Sequence, residues 1–485
     1  VPDRSVNPTG ALVIFGISGD LARKMTFRAL YRLEARHLLH CPVIGVAGDD
    51  WSDEELRRNA RQALTASGQP VSAQVFTRFA RRLTYVRGDF ADPSTYRRVG
   101  AALAGHRHPL FYLEVPPVLF APVVAALAQA GLTEGARVVV EKPFGHDLAS
   151  ARQLNWDLHQ HLDEGQILRI DHFLGKEPVM DLQFLRFANE VIEPIWNRDH
   201  IASVQITLAE DFGVADRGQF YDAVGALRDV VQNHLLQVLA LVAMEPPSGA
   251  DADSLRDRKV DVLRAIPAVD PGTAVRGQYL GYQAVPGVAK GSQTETYLAL
   301  RLSVDNWRWA GVPFFLRTGK ALAQSATEVR LIFRRPPHLA FLGRSAPAEP
   351  NQLVLRIDFG AGLRTSLTSQ GLGAGRLRGV NLDLSFAQEL GDPPEPYERL
   401  LDDAMRGDQR LFTREDSVEE TWRIVQPLID APPAVVTYPR GSWGPVGARG
   451  LLRGHLPWQE PWLGPIGGAP EERPAQSSKA KRRPT

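Results

Sequence analysis

The sequence predicts an α/β domain with a doubly wound parallel sheet, followed by an α+β domain with a large, mainly antiparallel sheet. Three observations predict it. Residues 11–15 read ALVIF, a continuous apolar run of the kind a strand shows when helices cover both its faces. Glycines follow at once, and residues 21–39 then place Met25, Leu30, Leu33 and Leu38 on one helical face, so the chain opens as strand, tight turn, helix. Beyond Phe173 this regular alternation ends and strands with one covered face take its place.

Further strands of the first sheet are expected at 43–47, 110–115, 138–140 and 167–170, with helical stretches between most of them. In the second domain, helices are expected around 179–187 and 221–244, and strands at 201–208, 297–304, 329–333, 353–359 and 380–386. Past Gly464 the chain turns to Gly, Pro, Ser, Lys and Arg and ends KAKRRPT, with too few apolar side chains to offset the entropy of ordering.

At 485 residues with 44% apolar side chains, the chain exceeds what one core usually fills. Its 56 basic and 55 acidic side chains nearly cancel, so no global field would hold it on nucleic acid or an anionic membrane, and anion binding must come from local sites. Cys41 is the only cysteine, which excludes an internal disulfide and a cysteine-rich metal cluster and fits a reducing compartment. Residues 1–10 lack the apolar run of a signal peptide, and the longest apolar stretches are too short to span a bilayer, so a cytoplasmic protein is expected.

Gly16-Ile17-Ser18-Gly19-Asp20-Leu21-Ala22 joins the first strand to the first helix. Small residues there let backbone amides approach a pyrophosphate at the positive end of the helix dipole. The spacing is G-x-x-G-x-x-A rather than the usual G-x-G-x-x-G, and an ordinary glycine turn has the same look; position at the first strand-to-helix junction favours a dinucleotide seat.

Three polar clusters follow. Glu141-Lys142-Pro143-Phe144-Gly145 puts Lys142 at the carboxyl edge of a parallel sheet, where ligands of such sheets lie. Asp171, His172 and Lys176 open onto the same edge; His172 and Lys176 are donors suited to a phosphate, and Asp171 is an acceptor able to orient an imidazole. A salt-bridged domain junction would use the same residue types. Arg228-Asp229-Val230-Val231-Gln232-Asn233-His234 falls in a helix, with His234 on the stripe of Val230, Val238 and Leu241. A lone histidine on such a face is usually a satisfied core residue, but a buried run of Asp229, Gln232, Asn233 and His234 is costly unless partners or a ligand satisfy it.

Together the motifs GxSGDLA, EKPFG, RIDHxLGKE, FANxxxxPIWN, RDVxQNH, LRTGK and GSWGP, running in order from Gly16 to Pro445, resemble the glucose-6-phosphate dehydrogenase family. The resemblance implies oxidation of glucose 6-phosphate at C1, with hydride passing to NADP or NAD and a 6-phosphoglucono-lactone as product. It implies His234 as general base, Asp171 as the carboxylate that orients it, His172 and Lys176 as holders of the 6-phosphate, and no metal. Glu210, Asp229 and Lys320 match residues that bind sugar hydroxyls or substrate charge, and Lys142 one shared between substrate and cofactor. The cofactor seat would comprise Gly16, Ser18, Gly19, Asp20, Leu21, Ala22, Arg23, Gly48 and Lys142. The resemblance also implies a homodimer or homotetramer. The expected organisation is an N-terminal arm over 1–10, a Rossmann-like dinucleotide-binding domain over 11–172, an α+β substrate and oligomerisation domain over 173–464, and a disordered tail over 465–485.

The sequence departs from the family in three places. Where many relatives carry an arginine for the 2′-phosphate of NADP, the second strand here ends Gly48-Asp49-Asp50, an acidic pair that repels a phosphate and suits a ribose hydroxyl; NAD use or dual specificity is expected, although Arg23 or Lys24 could still reach the phosphate. Phe173 stands where relatives usually have tyrosine, and Ser325 where a basic residue often assists Lys320, so weaker substrate binding is expected. Two rival readings stay open: a dehydrogenase of an unphosphorylated sugar, which His172 and Lys176 oppose, and a catalytically silent paralogue, which Asp171 and His234 oppose.

Overall fold

Apolar runs build the first sheet. Its parallel strands are β1 (Leu12–Phe15), β2 (Val43–Ala47), β3 (Leu83–Arg87), β4 (Leu110–Leu113), β5 (Arg137–Glu141) and β6 (Ile167–Ile170). In spatial order they run β6-β5-β4-β1-β2-β3, the doubly wound arrangement expected. Strands β1, β2 and β4 are buried along their whole length, because helices cover both faces. The computed structural model describes residues 8–336, 349–358, 360–370, 377–386 and 394–464. The expected tail over 465–485, most of the 1–10 arm and Phe359 lie outside them.

Two features of this sheet have no counterpart in the sequence reading. Strand β3 was absent from it: LTYVR is only partly buried at the sheet edge, so it lacks the apolar run that marks its neighbours. The first helix is also shorter and broken: a π-helical turn, Ala22–Thr26, precedes α1 (Phe27–Ala35), which stops well before residue 39.

In the second domain β7 (Ile201–Ala209), β8 (Ala274–Tyr279), β9 (Tyr297–Leu302), β10 (Phe314–Gly319), β11 (Ala326–Phe333), β12 (Gln352–Arg356), β13 (Gly362–Gln370) and β14 (Leu377–Ser385) form a sheet in the order β14-β13-β12-β11-β7-β10-β9-β8. Its pairs are antiparallel except β10 with β7. That parallel pairing sets Gly319 beside Ala209, so the next residues, Lys320 and Glu210, emerge side by side.

The chain then returns to the first sheet. After α11 (Pro396–Arg406), strand β15 (Phe412–Thr413) pairs antiparallel with β6, and α12 (Glu415–Asp430) packs beside α6 (Leu148–His159). A last strand, β16 (Val435–Tyr438), adds to the second sheet parallel to β8. No helix among the described residues is long and apolar enough to cross a membrane.

The helix expected over 221–244 is three pieces. Between α8 (Gly218–Ala226) and α9 (Leu236–Ala243) lies a π-helical segment, Leu227–Leu235, that carries His234. Its start is fixed by Gly225, whose φ of +67° breaks the preceding helix. Buried Glu295 then caps the new start: its carbonyl accepts from Ala226 N and its Oε1 from Leu227 N, each at 3.0 Å. A Cβ on residue 225 would lie 2.6 Å from that Oε1. Gly225→Ala is therefore expected to cost about 2–4 kcal/mol, from backbone strain and displacement of the cap, read by denaturant unfolding. A loss under about 0.5 kcal/mol would contradict this account of the segment's start.

Candidate active site

Asp171 follows β6 at the carboxyl edge of the parallel sheet, and His234 reaches it from the π-helical segment. His234 Nδ1 lies 2.5 Å from Asp171 Oδ1, and both residues are almost fully buried. The same oxygen accepts from Phe173 N at 3.0 Å, while Oδ2 has no hydrogen-bond partner among the described residues. On the far side of the ring, Lys142 Nζ lies 2.8 Å from His234 Nε2 and donates to Asp229 O at 2.9 Å. An ammonium only donates, so Nε2 accepts and the ring proton sits on Nδ1, facing Asp171. This is the neutral tautomer a general base requires.

Electrostatics favours the same state. Burial opposes the charged imidazolium and, with the nearby Lys142 ammonium, outweighs Asp171 and holds His234 below its ordinary pKa of 6.5. Burial alone would raise the Asp171 carboxyl, but His234, His172 and Lys142 reverse this and keep it ionised. His172 is pushed well below its ordinary value by burial and by its cationic neighbours.

The rest of the cleft is assembled around this pair. The His172 ring meets His234 edge-on at 4.7 Å, and the Phe173 ring stacks on it at 4.3 Å. Lys176 Nζ lies 3.8 Å from the centre of the Phe173 ring. Lys320 pairs with Glu210 and lies 3.9 Å from Asp229 Oδ2, while Asp229 Oδ1 is 3.6 Å from Lys142. The eight residues expected from the sequence to be catalytic or to bind substrate are thus brought together around His234 and Asp229. Ser325, in place of a base, hydrogen-bonds Asp211 at 2.6 Å.

The glycine turn fits a dinucleotide. Gly16 has φ +90°, a Cβ there would run into the Glu114 carbonyl, and one on Gly19 would lie 3.0 Å from the Gly16 carbonyl, so the chain passes too closely for side chains and a ligand can approach its backbone. Arg23 Nη2 donates to Ser18 O at 2.5 Å, with Asp20 and Lys24 exposed beside it. Gly48 borders a separate cleft of 840 Å³ with Tyr85, Arg87 and Arg98. Sequence reasoning missed Arg87, because β3 was missed; its guanidinium lies 2.6 Å from Asp50 Oδ1. It also passed over Glu114 and gave no role to Glu141, half-buried carboxyls at the same sheet edge that desolvation pushes up to about 8 and about 7. Glu141 accepts from Tyr112 at 2.6 Å and from Tyr397 at 3.3 Å. Their one sequence signal was an acid at the end of an apolar strand.

Fold and site together define a nicotinamide-dependent dehydrogenase acting on a hydroxyl group. The family model for "Glucose-6-phosphate dehydrogenase, NAD binding domain" matches residues 13–181, and that for "Glucose-6-phosphate dehydrogenase, C-terminal domain" matches 183–459. Glucose-6-phosphate 1-dehydrogenase 1 of Mycobacterium tuberculosis is 58% identical over 452 residues, covering 93% of this chain and 96% of that protein. The crystal structure of glucose-6-phosphate 1-dehydrogenase from Mycobacterium avium matches with TM-score 0.88 at 57% identity, over 94% of this chain and 100% of that one. A glucose-6-phosphate dehydrogenase in complex with its substrate glucose-6-phosphate matches with TM-score 0.87 at 33% identity, again over 94% and 100%. The chain belongs to the glucose-6-phosphate dehydrogenase family, and its activity is that family's oxidation of glucose 6-phosphate with a nicotinamide dinucleotide.

The electrostatic account has a direct check. Because burial disfavours the imidazolium, the His234 ring is expected to titrate below pH 6.5 in the free protein, and Asp171→Asn, which removes the one strong stabiliser of the charged ring, lowers it further. NMR of ¹³C-labelled histidine reads both values; a midpoint above 6.5, or a rise in the variant, contradicts the account.

Proposed function

We propose that His234 is the general base of this reaction, and the observation that carries the reading is its position between Asp171 and Lys142, with Nε2 as the acceptor. His234 Nε2 takes the proton of the C1 hydroxyl once substrate displaces the Lys142 ammonium from that nitrogen. Asp171 stabilises the imidazolium that forms, and the pair contributes about 10²–10⁴-fold in rate. The bound dinucleotide supplies the acceptor for the hydride that leaves C1. His172 and Lys176 hold the 6-phosphate; Lys176, which forms no ion pair among the described residues, offers an uncommitted cation. Glu210, Asp229 and Lys320 bind sugar hydroxyls, and Lys142 spans substrate and cofactor.

The dinucleotide is held by Gly16, Ser18, Gly19, Asp20, Leu21, Ala22, Arg23, Gly48 and Lys142. NAD use or dual specificity is supported by Gly48 and the acidic Asp49-Asp50 pair at the end of β2; Arg87, paired with Asp50, tempers that negative charge and favours dual use over strict NAD. Initial rates with glucose 6-phosphate test both halves of the reading. His234→Ala is expected to lower kcat by at least about 100-fold, and the wild-type kcat/KM with NAD is expected to lie within about tenfold of that with NADP. Near-normal turnover in the variant removes His234 as base; a strong NADP preference defeats the cofactor reading.

The protein acts as a homodimer or homotetramer in a cytoplasmic, reducing setting in this reading. Support for assembly comes from edge strand β14, where Val380, Leu382 and Leu384, alternate residues on one face, are 40%, 63% and 43% exposed. Leu382→Glu is expected to shift the mass measured by light scattering toward the monomer, and a monomeric wild-type protein would end this part of the reading.

A further inference from the structure

A second cluster of ligating side chains lies away from the catalytic cleft. His159 closes α6, Glu164 stands in the short helical turn before β6, and Glu415 opens α12. His159 Nε2 lies 2.9 Å from Glu415 Oε2 and 3.2 Å from Glu164 Oε2, and the three atoms lie within 4.8 Å of one another. His159 Nε2 and Glu164 Oε2 are shut off from solvent, yet neither makes a hydrogen bond.

That combination is informative. A protonated histidine clasping two carboxylates would aim its N–H at one of them, and here it does not. Donor atoms that crowd without hydrogen bonding are what neighbours in a coordination shell show: with metal–ligand distances of about 2.1 Å, ligands at right angles stand about 3.0 Å apart. Outer contacts orient the set as they do around bound metals. Glu164 Oε1 is occupied by Arg169 Nη1 at 2.7 Å and by the Glu415 amide at 3.0 Å, which leaves Oε2 to face His159. Arg169, fully buried, is itself held by Asn155 Oδ1 at 2.9 Å.

We propose that His159, Glu164 and Glu415 bind a divalent first-row cation of the zinc or manganese class, which imidazole and carboxylates together suit. The site lies before the amino end of β6, whereas Asp171 lies beyond its carboxyl end, about 13 Å of strand away. The ion is therefore a brace and takes no part in hydride transfer. It ties α6 and the approach to β6 to the start of α12, the helix whose Thr421 and Ser417 accept from Gln232 and Gln237 on either side of His234.

The test uses the full-length chain, stripped with EDTA and titrated with zinc or manganese chloride by calorimetry and metal analysis. One ion per chain is expected, with a rise in Tm of about 3 °C near saturation. Both His159→Ala and the shape-conserving Glu415→Gln are expected to weaken binding at least about tenfold, while glucose 6-phosphate turnover is unaffected by EDTA. Absence of stoichiometric binding overturns the proposal. So does binding of equal strength in both variants, which would place the ion elsewhere, the Asp171, His172 and His234 group being the other set of ligating atoms so arranged among the described residues.

Discussion

One buried pair, Asp171 with His234, constrains the rest of the molecule. The carboxylate comes from the edge of the parallel sheet and the imidazole from a helical segment of the other domain, and they meet at 2.5 Å with almost no solvent. Burial penalises the imidazolium and an unpaired carboxylate alike. The arrangement that escapes both penalties is a neutral ring donating from Nδ1 to an anion already supported by the Phe173 amide. That arrangement exists only while two domains hold register to within a fraction of a hydrogen bond, a tolerance at which an error of about 1 Å costs about 10²-fold in rate.

A single returning segment supplies that register. Strand β15 pairs with β6, the strand that leads into Asp171. A few residues later, in α12, Trp422 Nε1 donates to Phe144 O at 2.9 Å, fixing the loop that carries Lys142. Ser417 and Thr421 of the same helix accept from Gln237 and Gln232, which flank His234. Residues 412–422 thus touch all three sources of the catalytic groups, and Glu415, inside that stretch, anchors it to the far end of β6. The cation proposed at His159, Glu164 and Glu415 would brace the start of this segment against the approach to β6.

What the sequence made legible follows from the range of each signal. Runs such as residues 11–15 announce buried parallel strands, and clusters such as Asp171-His172 and Asp229 to His234 stand out because polar groups in apolar surroundings need a reason. Family motifs then supplied roles that spacing alone left open between a salt-bridged junction and a catalytic site. Strand β3 was illegible because its LTYVR is half exposed at an edge. Strand β15 is two residues long and exists only because β6 offers it an edge, so no local pattern could reveal it. The π-helical geometry around His234 depends likewise on Glu295, about 60 residues further along, capping the turn after Gly225.

Charge in the cleft is arranged so that binding exchanges partners instead of leaving groups bare. In the free protein Lys142 faces His234 and Asp229, and Lys320 faces Glu210 and Asp229, so neither ammonium is stranded before substrate arrives. Sugar hydroxyls can accept from these same cations and donate to the same carboxylates, so each displaced contact finds a replacement of its own kind. Phosphates bring extra negative charge, and here the structure withholds part of its own: burial raises Glu114 and Glu141 to about 8 and about 7, which reduces the negative charge near neutral pH at the sheet edge where the dinucleotide seat opens. Polar side chains can thus line that edge without repelling the anions it serves, and Asp171 remains the fully ionised acid beside the base.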